Sequence, residues 1–312
     1  MSTPIKLSVE FPSVASREGP AKVIEMGQAI ESLGYDEIAI FDHVVMGYSV
    51  PTRPDSIYPP QMPILEALTL MSYLAAATTT VGLSTEVLVL PQRQPALVAK
   101  QVSTIDTLSG GRVRLGIGVG WQQSEYDALH ENFGDRGKRM DEAIELLRRY
   151  WGDDRIDFES EAYPTEAMAM EPKPPQGRAL PLWFGGNGPA AIRRVATVGD
   201  GWMGGGMSNA AAIKIVDEIR ARAEAAGRDP SQVGMQMMLA PPPTDAHGKQ
   251  FYADFDAVSA RASDIAGLGF EWLAVNATAM FQSGSRSVDA MVDHLGRLRE
   301  RLAGDLDLAV SA

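Results

Sequence analysis

"GRVRLGIGVGW", residues 111–121, sets a glycine at every second position: Gly116, Gly118 and Gly120, with Leu115, Ile117 and Val119 as neighbours. Strand side chains alternate between faces, so the glycines share one face and the aliphatics the other. Each glycine in a strand interior costs backbone entropy and leaves nothing to pack. A chain gives up a face in this way when another backbone or a flat ligand lies against it. Downstream, "RGKRMDEAIELLRRYW" (136–151) has apolar residues at three and four spacing, the period of a helix buried on one side.

That strand-then-helix unit recurs along the whole chain. Before it come Ile5 to Phe11 with "GPAKVIEMGQAIESLGY" (19–35), "DEIAIF" (36–41) with "PILEALTLMSYLAAAT" (63–78), and "VGLSTEVLVL" (81–90) with "PALVAKQVSTIDTLSG" (95–110). After it come "LPLWFGG" (180–186) with "GPAAIRRVATVG" (188–199) and "DGWMGG" (200–205) with "NAAAIKIVDEIRARAEAAG" (209–227). "QVGMQMMLA" (232–240) with "FYADFDAVSARASDIAGLG" (251–269) and "FEWLAVN" (270–276) with "SVDAMVDHLGRLRERLAG" (287–304) complete the series. Eight such pairs in 312 residues predict a (β/α)8 TIM barrel, an α/β fold, as a single domain over residues 1–312. Two stretches break the alternation, Trp121 to Asp135 and Arg155 to Ala179. The second is rich in Pro and Glu and reads as a surface insertion and candidate lid.

Bulk properties exclude several classes of function. With 40 acidic residues against 28 basic ones the net charge is −12, which opposes phosphate backbones and anionic lipid, so neither nucleic acid nor membrane is expected as partner. The chain has no cysteine, which removes disulfides and thiolate chemistry and fits a reducing, cytoplasmic setting. No basic-then-apolar leader opens the sequence, and its most apolar run, residues 73–91, is broken by four threonines, a serine and a glutamate. No lysine stands at a strand end for Schiff-base chemistry. No strand carries a His-x-His pair, so no metal site is expected. Chemistry supplied by a cofactor remains.

In such barrels the residues just after each strand build the site. After the second strand stand Asp42 and His43. Either the carboxylate holds the imidazole in a structural loop, or His43 serves as a proton or hydrogen-bond donor oriented by its neighbour. After the fifth strand, Gly185, Gly186, Asn187 and Gly188 precede a helix expected to begin near Pro189, a plausible phosphate cradle.

Taken in order, "GYDEIAIFDHVV", "LSTEVLVLPQRQPALVAKQVSTIDTLSGGRVRLGIGVGW", "RGKRMDEAIELLRRYW" and "PLWFGGNGPAAIRRVATVGDGWM" resemble the bacterial luciferase-like flavin and deazaflavin oxidoreductases, most of all the branch that uses coenzyme F420. The likeness is dense from Ile5 to Met203 and thin afterwards. It implies hydride transfer between reduced F420 and a small organic substrate, with an FMN-dependent monooxygenase using dioxygen, or a cofactor-binding barrel without turnover, as alternatives. It also implies a homodimer. The ring would lie across the barrel mouth, leaving Gly118 and Gly120 bare to make room beside Val119. A non-prolyl cis peptide at Glu86–Val87, next to Thr85, would back it. Asp42 and His43 would stand beside the cofactor, His43 delivering a proton, and residues 185–188 would hold its phosphate, with Arg193 and Arg194 available to an anionic tail. Some deazaflavin dehydrogenases of this family place an acid straight after the last glycine of the fourth strand. Here Trp121 stands there, which speaks against a sugar phosphate and for an apolar pocket extended by Tyr48, Tyr126 and Trp202.

Overall fold

A computed structural model describes residues 4–52, 58–241 and 247–309. In chain order its elements are β1 (Lys6–Glu10), α1 (Pro20–Ser32), β2 (Glu37–Ile40), α2 (Ala67–Ala77), β3 (Gly82–Thr85), β4 (Leu88–Val89), α3 (Pro95–Ser109) and β5 (Val113–Gly118). There follow α4 (Gln123–Ala128), α5 (Arg136–Gly152), β6 (Ile156–Phe158), β7 (Thr165–Met168), β8 (Leu182–Gly185), α6 (Pro189–Val198), β9 (Gly201–Gly204) and α7 (Asn209–Ala225). The last are β10 (Gly234–Met238), α8 (Phe255–Gly267), β11 (Trp272–Asn276), α9 (Ala277–Ser283) and α10 (Val288–Asp305).

Local signals fix many of these boundaries. Proline opens α1, α3 and α6, where its missing N–H costs nothing. Gly110, at φ 73°, closes α3 in the left-handed conformation. The hydroxyls of Ser208 and Ser287 cap α7 and α10 by accepting from the N–H groups of Ala211 and Ala290.

The sheet is parallel and closed. Its order runs β3-β2-β1-β11-β10-β9-β8-β5, and β3 pairs again with β5. The third barrel strand is interrupted: β3 ends at Thr85, β4 begins at Leu88, and both pair with β5 on either side of the break. The peptide in that break, Glu86–Val87, is cis, as the family resemblance implies.

Gly116 and Gly118 of the fourth strand, and Gly120 two residues past its end at φ 67°, meet the interrupted strand itself. A Cβ on Gly116 would stand 2.0 Å from the Thr85 carbonyl oxygen, one on Gly118 2.7 Å from Val87 Cγ2, and one on Gly120 2.7 Å from Val89 Cγ1. The erased face is therefore filled by a neighbouring backbone and two valines, which corrects the expectation that a ligand ring alone keeps Gly118 and Gly120 bare.

At the opposite end the barrel is plugged by Arg114. Its guanidinium lies 4.2 Å from the Trp183 ring centroid and 4.4 Å from that of Trp272, and bonds to Gln236 Oε1 (2.5 Å) and Glu37. The insertion at 155–179 contains the antiparallel hairpin β6–β7. It joins α5 to β8, a helix-to-strand connection at the face opposite the strands' C-terminal ends, and lends no residue to the cavity described next. The expectation of a lid there is overturned.

Candidate functional site

A cavity of about 440 Å³ opens at the C-terminal ends of the strands. Its walls come from four places that sequence reading singled out. The loop after β2 supplies Asp42 and His43, and the break before β4 supplies Glu86 and Val87. The end of β5 supplies Gly118, Val119, Gly120 and Trp121, and the loop after β8 supplies Gly185, Gly186, Asn187 and Gly188.

His43 is held by a group that sequence reading missed. Its Nδ1 lies 3.0 Å from Glu125 Oε2 in α4, both side chains being buried. The other oxygen, Oε1, accepts from the backbone N–H of Val44 at 2.5 Å and of Val45 at 3.3 Å. Burial alone would raise the Glu125 pKa, but the bonds from His43 and Val44 outweigh it and hold the carboxyl below its ordinary range. An ionised carboxylate is an acceptor only, so His43 carries its proton on Nδ1 and leaves Nε2 for the cavity that His43 lines. Gln122 fastens the same two loops, its Nε2 donating to the Val45 carbonyl at 2.7 Å.

Asp42 therefore does not orient His43, contrary to expectation. Its Oδ1 accepts from Arg93 Nη2 at 2.7 Å and its Oδ2 from the Val89 N–H at 3.0 Å, so it pins β4 in place from the cavity wall. Arg93 also reaches Glu66 Oε1 at 2.7 Å, tying the break to the start of α2.

The mouth is aromatic. The His43 ring stands edge-on to Trp121 (5.5 Å between centroids) and to Tyr58 (5.7 Å), and Tyr58 lies 6.2 Å from Phe41. Trp121 is 39% exposed, which puts part of the indole at the opening. Tyr58 fills the place foreseen for Tyr48, which is 64% exposed and lies outside the lining.

Three more expected site residues are struts. Tyr126 is buried and donates from its hydroxyl to the Val119 carbonyl at 2.6 Å, bracing the strand end from behind. Trp202 is buried and its Nε1 donates to the Gly186 carbonyl at 2.9 Å, fixing the glycine loop from below. Thr85 is buried too, and its hydroxyl donates to the Gly116 carbonyl at 2.6 Å.

The glycine loop has the properties of an anion site. Gly186 adopts φ 98°, Gly188 precedes the ten-residue α6, and Ala190 and Ala191 of its first turn line the cavity. The first N–H groups of a helix have no partner within it and carry the positive end of its dipole. Arg194 is buried in the same wall, with Nε 2.7 Å from Asp141 Oδ1, whereas Arg193 pairs with Asp141 away from the cavity. Among the described residues no cluster of three or more potential metal ligands occurs, and no helix is long and apolar enough to cross a membrane.

Comparisons with known proteins agree with this architecture. An uncharacterized protein of Mycobacterium tuberculosis is 34% identical over 215 residues, covering 66% of this chain and 72% of that one. An F420-dependent glucose-6-phosphate dehydrogenase of Mycolicibacterium gilvum is 28% identical over 235 residues, 73% of this chain and 66% of its own. Among solved structures, an F420-dependent secondary alcohol dehydrogenase in complex with an F420–acetone adduct superposes with a TM-score of 0.74 at 17% identity, covering 97% of this chain and 99% of that one. The family model described as luciferase-like monooxygenase matches residues 4–268, past Met203 where the resemblance in the motifs thins. A closed barrel with an interrupted third strand, a glycine loop at a helix N-terminus and a model match over most of its length make this chain a member of the luciferase-like monooxygenase family.

Proposed function

We propose that this chain is an F420-dependent oxidoreductase that transfers a hydride between the deazaflavin and a small, largely apolar organic substrate. The observation that carries the reading is one cavity joining the Gly185–Gly188 anion loop, the Val87 wall and His43. The residues fit such a cofactor: the loop and the α6 N-terminus suit its phosphate, and the valine and Ile117 surfaces suit a flat ring. Bound there, a deazaflavin supplies the hydride chemistry.

The chain's own residues do the rest. Glu125 holds the His43 ring with Nδ1–H pointing at the carboxylate, so Nε2 is the nitrogen that takes a proton from the substrate or, once protonated, returns one to it. Because Glu125 is buried and ionised, it also stabilises the imidazolium that such a step creates. Phe41, Tyr58 and Trp121 line the mouth with apolar surface, which favours an aromatic or aliphatic substrate over a sugar phosphate.

The family description favours a second reading, an FMN-dependent monooxygenase. Equilibrium titration with F420 and separately with FMN, followed by fluorescence quenching, decides between them. Tight binding of F420 alone supports hydride transfer. Preference for FMN turns the reading to oxygen chemistry, and binding of neither removes both. His43→Ala is expected to lower turnover about 10²-fold or more with cofactor affinity retained, and an unchanged rate would take His43 out of the mechanism.

A further inference from the structure

We infer that Glu86 is a ligand-binding acid: its carboxyl group donates a hydrogen bond to an acceptor atom, a ring nitrogen or carbonyl oxygen, of the flat heteroaromatic group that the cavity takes. The inference rests on the proposed reading of the cavity as a ring site and goes beyond it, since the role so far belongs to the Glu86 peptide and not to its side chain.

Three observations support it. Glu86 lines the cavity; the Gln236 amide is the donor that acts on its carboxyl, and Oε2 is buried with no hydrogen bond of its own among the described residues. A buried polar atom without a partner is costly, and a ligand is the natural partner for one in a cavity wall. The second observation is a charge count. The groups that face Glu86 from the elements around it are Glu10 on β1, Glu37 on β2, Arg114 on β5, the Gln236 amide on β10 and Tyr252 before α8. One guanidinium stands against three carboxyls, and that guanidinium already binds Glu37 and Gln236. That leaves Glu86 and Glu10 without a cation of their own in the barrel interior. Thirdly, burial, reinforced by the neighbouring Glu10, pushes the Glu86 carboxyl up to about 8, and burial pushes Glu10 up to about 7. Glu86 is thus an acid at neutral pH and a donor, where an ordinary glutamate would be an acceptor only.

The test uses FMN and F420 as probes, with Kd measured by fluorescence quenching from pH 6 to 9.5 for the wild type, Glu86→Gln and Glu86→Ala. For the wild type, Kd is expected to rise by about tenfold per pH unit above pH 8, as the donor is lost. Glu86→Gln keeps a donor that does not titrate, so this pH dependence disappears. Glu86→Ala binds weakly across the range. Comparing variants at each pH cancels any titration of the ligand itself. Infrared spectra of the ligand-free protein supply an independent readout: a protonated-carboxyl band at pH 6.5 that Glu86→Gln removes. Identical pH dependence in wild type and Glu86→Gln, or absence of that band, overturns the inference while leaving the ring site intact. Failure of both rings to bind at any pH removes the ring site and the inference together.

Discussion

Alanine at the two glycines of the fourth strand, Gly116 and Gly118, should not cost the same. At Gly116 the new methyl would stand 2.0 Å from the Thr85 carbonyl oxygen and 2.7 Å from Met203 Sδ. Met203 can turn away, but the carbonyl is backbone and would have to retreat by about 1.4 Å to reach ordinary contact. Retreat also strains the bond from the Thr85 hydroxyl to the Gly116 carbonyl. The expected cost is about 3 kcal/mol or more, the upper end for overpacking. At Gly118 the obstacle is the end of a side chain, Val87 Cγ2 at 2.7 Å, and a rotamer change relieves it for about 1 kcal/mol. Val87 then swings toward the cavity, so Gly118→Ala should weaken cofactor binding more than it weakens the fold. Gly304→Ala, in α10 with open space around it, is the control and should stabilise by a few tenths of a kcal/mol. Urea unfolding followed by circular dichroism measures the series, with the midpoints compared at constant slope. If Gly116→Ala costs less than Gly118→Ala, backbone approach is not what keeps Gly116 bare, and the account given for this strand fails.

Other variants report on the site. Glu125→Gln removes the charge beneath His43 and should lower kcat by about tenfold or more with cofactor Kd unchanged; because a cation on that ring loses its counter-charge, the pH–rate profile should shift, which a merely structural role would not cause. Asp42→Ala leaves Arg93 without one of its two partners and the Val89 N–H unbonded, and should destabilise by about 3 kcal/mol in thermal or urea unfolding. Trp121→Ala should raise KM for apolar substrates several-fold with a smaller change in kcat, measured on a substrate panel. Stability should depend on pH through Glu86: its carboxyl is raised from the usual 4.5 to about 8, so its contribution is fully present below 4.5 and is lost as pH rises through 8. Glu86→Gln should remove that decline, about 5 kcal/mol for a carboxyl raised from 4.5 to about 8, and an unaltered pH–stability curve would count against a buried acid.

The barrel was legible because its signals are local and repeated. All eight strands lie where short apolar runs precede helical periods, and α6 begins at Pro189 as its sequence foretells. Elements lacking that repetition were not read: α4 and the β6–β7 hairpin inside the two insertions, and α9 between β11 and α10. At the site, the glycine loop lines the cavity as its place between strand and helix suggests, whereas the cis Glu86–Val87 bond follows from the family resemblance and not from any local signal. Partners chosen by tertiary folding were missed. Nothing local links Glu125 to His43, 82 residues away, and Asp42, adjacent in sequence, turns instead to Arg93. Tyr48, Tyr126 and Trp202 share apolar bodies that suit a pocket, but a tyrosine and a tryptophan can pack inward and spend their polar tips on a carbonyl, as Tyr126 and Trp202 do.

The break in the third strand has a consequence for dimensions. Val87, thrown inward at that break, faces the places where Gly118 and Gly185 lack side chains, within 2.7 and 3.1 Å of where their Cβ atoms would be. Two methyl groups thereby act as a depth stop for anything flat that enters the mouth. Alanine at that position would deepen the cavity and leucine would make it shallower, so a single side chain sets how far a flat group can enter.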